Sequence, residues 1–324
     1  MSTRLLAVAC AALFALQGCR REPETYAFTC PTTGVLYGYA GASVSPLPYV
    51  PCSAGNIDLA SGAMASTAAT ISNNTQFNQS AYSLAEDAYF SFLRGDAAYS
   101  LYKVSGTGST TLSYTGAAVD RMDGLVYDRM HGKLYCFVTS GSTSVLSEIV
   151  IMGTSYTTNA IVTSPEVALH DNTTADPGSG DIYFQTLNMS TQQYSIYKHV
   201  HGSTSTPTLI YVSPAATEMW GLRYNPNDDM LYALRLSLSV ANTYELVMLN
   251  PSTGTLSSIA NLGININPKF LSATIDPCNN RYIFAAQIIT AGTASLKMYQ
   301  LEMTGSVTSV MPLSQMYQGL DVRY

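Results

Sequence analysis

The sequence predicts an all-β chain, a six-bladed β-propeller of four-stranded blades whose ring is closed by the C-terminal strand. Three observations carry that expectation: one hairpin motif recurs six times at nearly even spacing, Val, Ile, Thr and Tyr alternate with polar residues, and the last residues repeat only the first half of the motif. The motif is clearest in Gly221-Leu222-Arg223-Tyr224, a polar turn from Asn225 to Asp229, and Met230-Leu231-Tyr232-Ala233-Leu234. It recurs from Gly124 to Phe137 with Gly-Leu-x-Tyr, a turn of like length and Leu134-Tyr135 in the same register. Alternation of this kind reads as a half-buried strand. The Asn and Asp residues suit the turn, and Pro226 presets φ at its second position.

Looser copies run from Cys30-Pro31 to Leu36-Tyr37, from Asp176-Pro177 to Ile182-Tyr183, and from Asp276-Pro277 to Tyr282-Ile283, with a shorter one before Ala88-Tyr89. The aligned second-strand positions are Tyr37, Tyr89, Tyr135, Tyr183, Tyr232 and Ile283, so the spacing stays between 46 and 52 residues. Two further strand-like runs follow each copy, as in Tyr244 to Leu249 and Thr255 to Ile259 around Thr253-Gly254. A helical solenoid would need apolar residues three and four apart, and a β-sandwich would not repeat one hairpin at even intervals. Radial repetition also leaves only short strand edges exposed.

Gly319 to Tyr324 reproduces the first strand of the motif and then stops, as an innermost strand left over for the first blade. Tyr26 to Thr29 competes for that place. The C-terminal strand is the expected occupant, with the N-terminal segment beside it.

The chain opens with a basic segment ending at Arg4, an apolar run from Leu5 to Leu16, and Leu16-Gln17-Gly18-Cys19. That run is too short to span a bilayer, which takes about twenty residues. The closing tetrapeptide resembles the lipobox of bacterial lipoproteins. The resemblance implies a signal peptide over 1–18, diacylglycerol on the thiol of Cys19, and a lipidated tether over 19–25 ahead of a propeller domain over 26–324. Arg20 is not the Asp that holds such proteins at the inner membrane, which implies an outer-membrane anchor with the propeller facing either the periplasm or the exterior.

Loss of Arg4 with the leader leaves 14 basic against 21 acidic residues, a mature balance of −7. With no basic stripe, nucleic acid is excluded as a partner. Only 11% of residues are charged, so the surface is expected to be rich in hydroxyl and amide groups. Outside the leader and Cys19, four thiols remain: Cys30, Cys52, Cys136 and Cys278. They allow three pairings. Cys30 and Cys52 are nearest in sequence but are expected at opposite faces of the ring, so the pairing stays open; Cys136 reads as a buried small hydrophobe.

No Gly-x-Ser-x-Gly elbow, phosphate loop or Cys-x-x-Cys is present. His199 and His201 lie close, but no Cys or carboxylate stands beside them at metal-ligand spacing. The loops that lead into the innermost strands are more informative, because ligands of propellers usually bind on that face. There the equivalents of Trp220 are Asp123, Asp171 with His170 beside it, Leu271, Gln318 and Asn78. Asp123, His170, Asp171, Trp220 and Gln318 are therefore the expected ligand-binding residues at the mouth of the channel.

The strand plan over 26–324 resembles six-bladed propellers of the TolB-like and lactonase-like kinds, without a diagnostic catalytic motif. Two functions follow as expectations. One is a non-enzymatic lipoprotein whose propeller is a rigid binding platform for a protein or glycan, with no cofactor. The other is a calcium-dependent hydrolase or lyase in which Asn78, Asp123 and Asp171 supply oxygen ligands, as the lactonase-like resemblance implies.

Overall fold

A computed structural model describes residues 30, 35–40, 52–71, 80–94, 99–105, 108–214 and 217–323, except for the side chains of 35, 40, 52, 53, 66–71, 93, 94, 170, 171 and 269. The leader, Cys19, the tether, Tyr26 to Thr29 and Asn78 lie outside the described residues.

Every regular element among the described residues is a strand. In chain order they are β1 (Val35–Ala40), β2 (Cys52–Ile57), β3 (Met64–Ile71), β4 (Ser80–Ser83), β5 (Ala88–Arg94), β6 (Tyr99–Ser105), β7 (Gly108–Tyr114) and β8 (Arg121–Asp128). Next come β9 (Lys133–Ser140), β10 (Thr143–Met152), β11 (Ser155–Thr163), β12 (Val167–Ala175), β13 (Ile182–Asn188), β14 (Gln193–His199), β15 (Thr208–Val212) and β16 (Met219–Asn225). The last are β17 (Met230–Leu236), β18 (Tyr244–Asn250), β19 (Thr255–Asn261), β20 (Asn265–Asp276), β21 (Arg281–Thr290), β22 (Thr293–Glu302), β23 (Val307–Pro312) and β24 (Tyr317–Arg323).

The repeat seen in the sequence is a register in space. Tyr37 faces Asp321, Tyr89 faces Tyr82, Tyr135 faces Val126, Tyr183 faces Thr174, Tyr232 faces Arg223 and Ile283 faces Thr274. The turns are closed by Asp or Asn side chains that accept backbone N–H bonds from two or three residues on: Asp176 from Gly178, Asn225 from Asn227, and Asp276 from Cys278 and Asn279.

β24 pairs antiparallel with β1, giving a sheet ordered β24-β1-β2-β3. The first strands of the hairpins touch in a closed cycle: β24 with β4, β4 with β8, β8 with β12, β12 with β16, β16 with β20, and β20 with β24. Buried clusters fill the gaps between successive groups of strands. One example is Phe137, Leu146, Phe184 and Tyr197 between β8–β11 and β12–β15, and another is Leu36, Ile57, Ile283, Met298 and Leu320 between the first and last sheets.

Six separate sheets were expected, whereas four four-stranded sheets and one eight-stranded sheet are found among the described residues. In the large sheet β7 meets β11 in parallel at Ser113–Ser155 and Tyr114–Tyr156, and the amides of Ser113 and Thr115 reach the carbonyls of Thr154 and Tyr156. β10 and β11 are long, at ten and nine residues, so the outer edge of one group extends far enough to satisfy open backbone groups of the next.

Cys30 is bonded to Cys278, in the turn between β20 and β21, which ties the segment before β1 to the last sheet. Cys136 is free and fully buried, as expected of a small hydrophobe.

Candidate functional site: the central channel

The innermost strands carry a repeated irregularity. Pairing of β8 with β9 shifts between Asp123 and Val126, of β16 with β17 between Trp220 and Arg223, and of β24 with β1 opposite Gln318 and Asp321. Each shift is a β-bulge. The residue after Trp220 shows why the motif needs glycine there: Gly221 has φ +66°, and a Cβ would lie 2.7 Å from the Ala273 Cβ and from the Tyr282 hydroxyl of the next sheet. Tyr282 donates to the Gly221 carbonyl at 2.7 Å, so the bulge is a fastening point between sheets. Where β12 has Asn172 at this level, its side chain does the fastening by donating to Met219 O at 2.8 Å and accepting from Leu222 N at 3.2 Å.

Asp123, Trp220 and Gln318 therefore sit at one level around the ring, as their sequence equivalence anticipates. Their surroundings are less open than a polar mouth. Asp123 is 7% exposed and ion-paired with Arg121; Gln318 is also 7% exposed, and its Oε1 has no hydrogen-bond partner. Trp220 is half-buried, its indole packed against the cluster that β16–β19 share with β20–β23, and Leu271 belongs to that cluster. His170 and Asp171 fall within β12, and their side chains lie outside the described residues, as does Asn78.

Further along the same strands, toward the hairpin turns, lies a polar cavity of about 80 Å³ that opens to solvent. Tyr82, Thr173, Thr174, Arg129, Arg223 and Asp321 line it. Arg223 and Asp321 occupy equivalent positions of β16 and β24, and Arg129 follows β8 and donates to Val322 O at 3.0 Å, spanning the channel past β4. Asp321 accepts from Tyr82 N at 2.6 Å. Burial pushes its carboxyl above the ordinary carboxylate range, against the opposing pull of the Arg129 and Arg223 guanidinium groups. The buried Thr173 hydroxyl has no protein partner. The cavity thus holds two permanent cations, one carboxylate inclined to keep its proton, and a hydroxyl available for a ligand or water.

A second perturbed carboxylate escaped sequence reasoning. Glu218, just ahead of Trp220, is hydrogen-bonded to Tyr194, and burial pushes its carboxyl up to about 7. Nothing in the sequence marks it, because the shift comes from packing around Tyr194 and Tyr244 rather than from a charged neighbour in the chain.

The chain matches no protein-family model and none of the curated proteins. It does share its architecture with solved structures. A chain of the nidogen–laminin complex superposes with a TM-score of 0.61 at 9% identity, covering 90% of this chain and 98% of that one. The putative TolB of Agrobacterium tumefaciens gives 0.60 at 10% identity over 89% and 92% of the two chains. The chain is a β-propeller. The periplasmic gluconolactonase of Pseudomonas aeruginosa joins them at a TM-score of 0.52 and 10% identity, over 89% and 99%. At such identities the likeness shows the propeller fold alone, and the names of these neighbours already span a protein–protein complex and a gluconolactonase.

Proposed function

We propose that this propeller is the binding platform of a cell-envelope lipoprotein, held to the outer membrane by an acylated Cys19, and that its protein or glycan ligand presents an acidic group to the channel cavity. The reading counts the eight-stranded sheet as two blades and so takes the ring as six-bladed. The cycle of six innermost strands and the clusters between successive groups support that count.

The observation that carries the ligand class is the charge of the cavity. Two guanidinium groups, Arg129 and Arg223, line it with a single carboxylate, Asp321, in a chain whose overall charge is −6. Two cations against one acid leave the lining with a positive balance, and guanidinium groups match carboxylates in a two-pronged way. The calcium-dependent reading is less well supported, since the Arg121 guanidinium already occupies Asp123 and competes with a cation there.

Titration with oligogalacturonate and with an acidic peptide, each beside a neutral counterpart of equal length, tests the proposal. Stabilisation and binding by an acidic probe only are expected, with Arg223→Ala weakening that binding about tenfold, as loss of one charged hydrogen bond implies. Equal responses to acidic and neutral probes, or unchanged affinity in the variant, would sink it.

A further inference from the structure

His201 was left without a metal-binding partner by the sequence, and the fold supplies two. Asp128, the last residue of β8, is fully buried, and its Oδ2 lies 2.7 Å from Nδ1 of His131 and 3.2 Å from Nδ1 of His201. His131 stands in the turn after β8, whereas His201 follows β14 in the neighbouring sheet, so the group bridges two sheets on the turn face of the ring. The two imidazoles are stacked, centroids 3.4 Å apart and planes within 1°.

We infer that Asp128, His131 and His201 form a binding site for one zinc ion, distinct from the channel cavity. Two imidazole nitrogens and one carboxylate oxygen are a donor set suited to zinc and poor for calcium or magnesium, which prefer oxygen alone. The three donor atoms lie within 4.8 Å of one another, and His131, exposed, and His201, partly buried, leave a side open for water or a donor from a ligand.

The surroundings hold these groups in place. Asp128 spends Oδ1 on the His131 amide at 3.1 Å, leaving Oδ2 for the imidazoles. Asp181 accepts from the His201 amide at 3.0 Å and is itself paired with Lys198 at 2.6 Å, which fixes the second turn. The backbone of Gly180 lies so close that a Cβ there would come 2.6 Å from both Asp128 Oδ2 and His131 Nδ1. The contact of His131 Nδ1 with Asp128 Oδ2 is a hydrogen bond, and zinc takes the place of a proton at that end. Lone pairs in parallel planes do not converge on a point, so zinc binding tilts the rings, a soft motion about χ2. Each ring then carries its proton on Nε2, facing outward.

The test uses the full chain in detergent, stripped with chelator and titrated with zinc sulfate. One zinc per chain is expected, with no heat from calcium. His131→Ala and His201→Ala should each weaken binding by at least about tenfold, since even the loss of an outer hydrogen-bond partner costs that much; His199→Ala should leave it unchanged. In the unaltered chain, nitrogen-15 NMR should place zinc on Nδ1 of His131 and His201. Absence of binding, affinity indifferent to both histidine variants, or ring-nitrogen signals that zinc does not move would overturn the assignment, and the NMR measurement decides even if a variant fails to fold.

Discussion

Glu218 carries its perturbed proton affinity into the stability of the protein. Its folded-state value, raised from 4.5 to about 7, means that the native state holds the proton more tightly than the unfolded chain. The stabilising contribution is therefore complete below about 4.5 and disappears as pH rises toward 7, after which it is flat. Glu218→Gln, which keeps the Tyr194 contact without the charge, should gain stability relative to the wild type over that window. The gain should be on the order of 1–2 kcal/mol after allowing for the group's partial exposure. Denaturant midpoints of both proteins at pH 4.5, 6 and 8 check it; parallel curves would mean that the carboxyl titrates normally. Residues such as this were the least legible part of the site. The Asp128 group was equally hidden, because His131 and His201 are 70 positions apart and only the adjacency of two turns unites them. Arg223 was in view from the start as the polar residue of Gly-Leu-Arg-Tyr, but its role depends on Asp321 standing at the same level of another strand.

At the scale of single strands, the recurring glycine was legible as a marker and its cause was not. β16 begins at Met219 and bulges at Gly221. Two costs meet in Gly221→Ala, left-handed backbone for a residue with a Cβ and contacts at 2.7 Å with the next sheet. A loss on the order of 3 kcal/mol is expected from strain and overpacking together. Gly263, with φ +64° and nothing within 4 Å, supplies the comparison. Its alanine variant should lose only the strain, about 1 kcal/mol. Equilibrium unfolding of the two variants side by side checks the difference, and equal losses would show that the approach of Ala273 and Tyr282 has slack. The hairpin registers were legible for a firmer reason, since the spacing of Tyr and turn residues repeats wherever the same pairing repeats. The parallel contact of β7 with β11 was not, because it depends on how far an outer strand runs and not on any motif.

For the molecule as a whole, the pairing of β24 with β1 was readable in advance, while the Cys30–Cys278 bond was not, because four thiols fit several pairings and only the ring brings this pair together. The proposed anchor belongs at this scale. Cys19→Ala should move the protein from the membrane fraction to the soluble fraction of lysed cells, and an unchanged distribution would count against lipidation. The pairing of β24 with β1 also sets an order in time. β1 is made early, yet its inner edge waits for a partner that leaves the ribosome nearly three hundred residues later. Until then the first sheet stays open to other strands, so the growing chain is more exposed to mispairing than its finished, edge-poor form would suggest. A message cut short before β24 would yield a protein with almost every strand in place and the inner edge of β1 left unpaired.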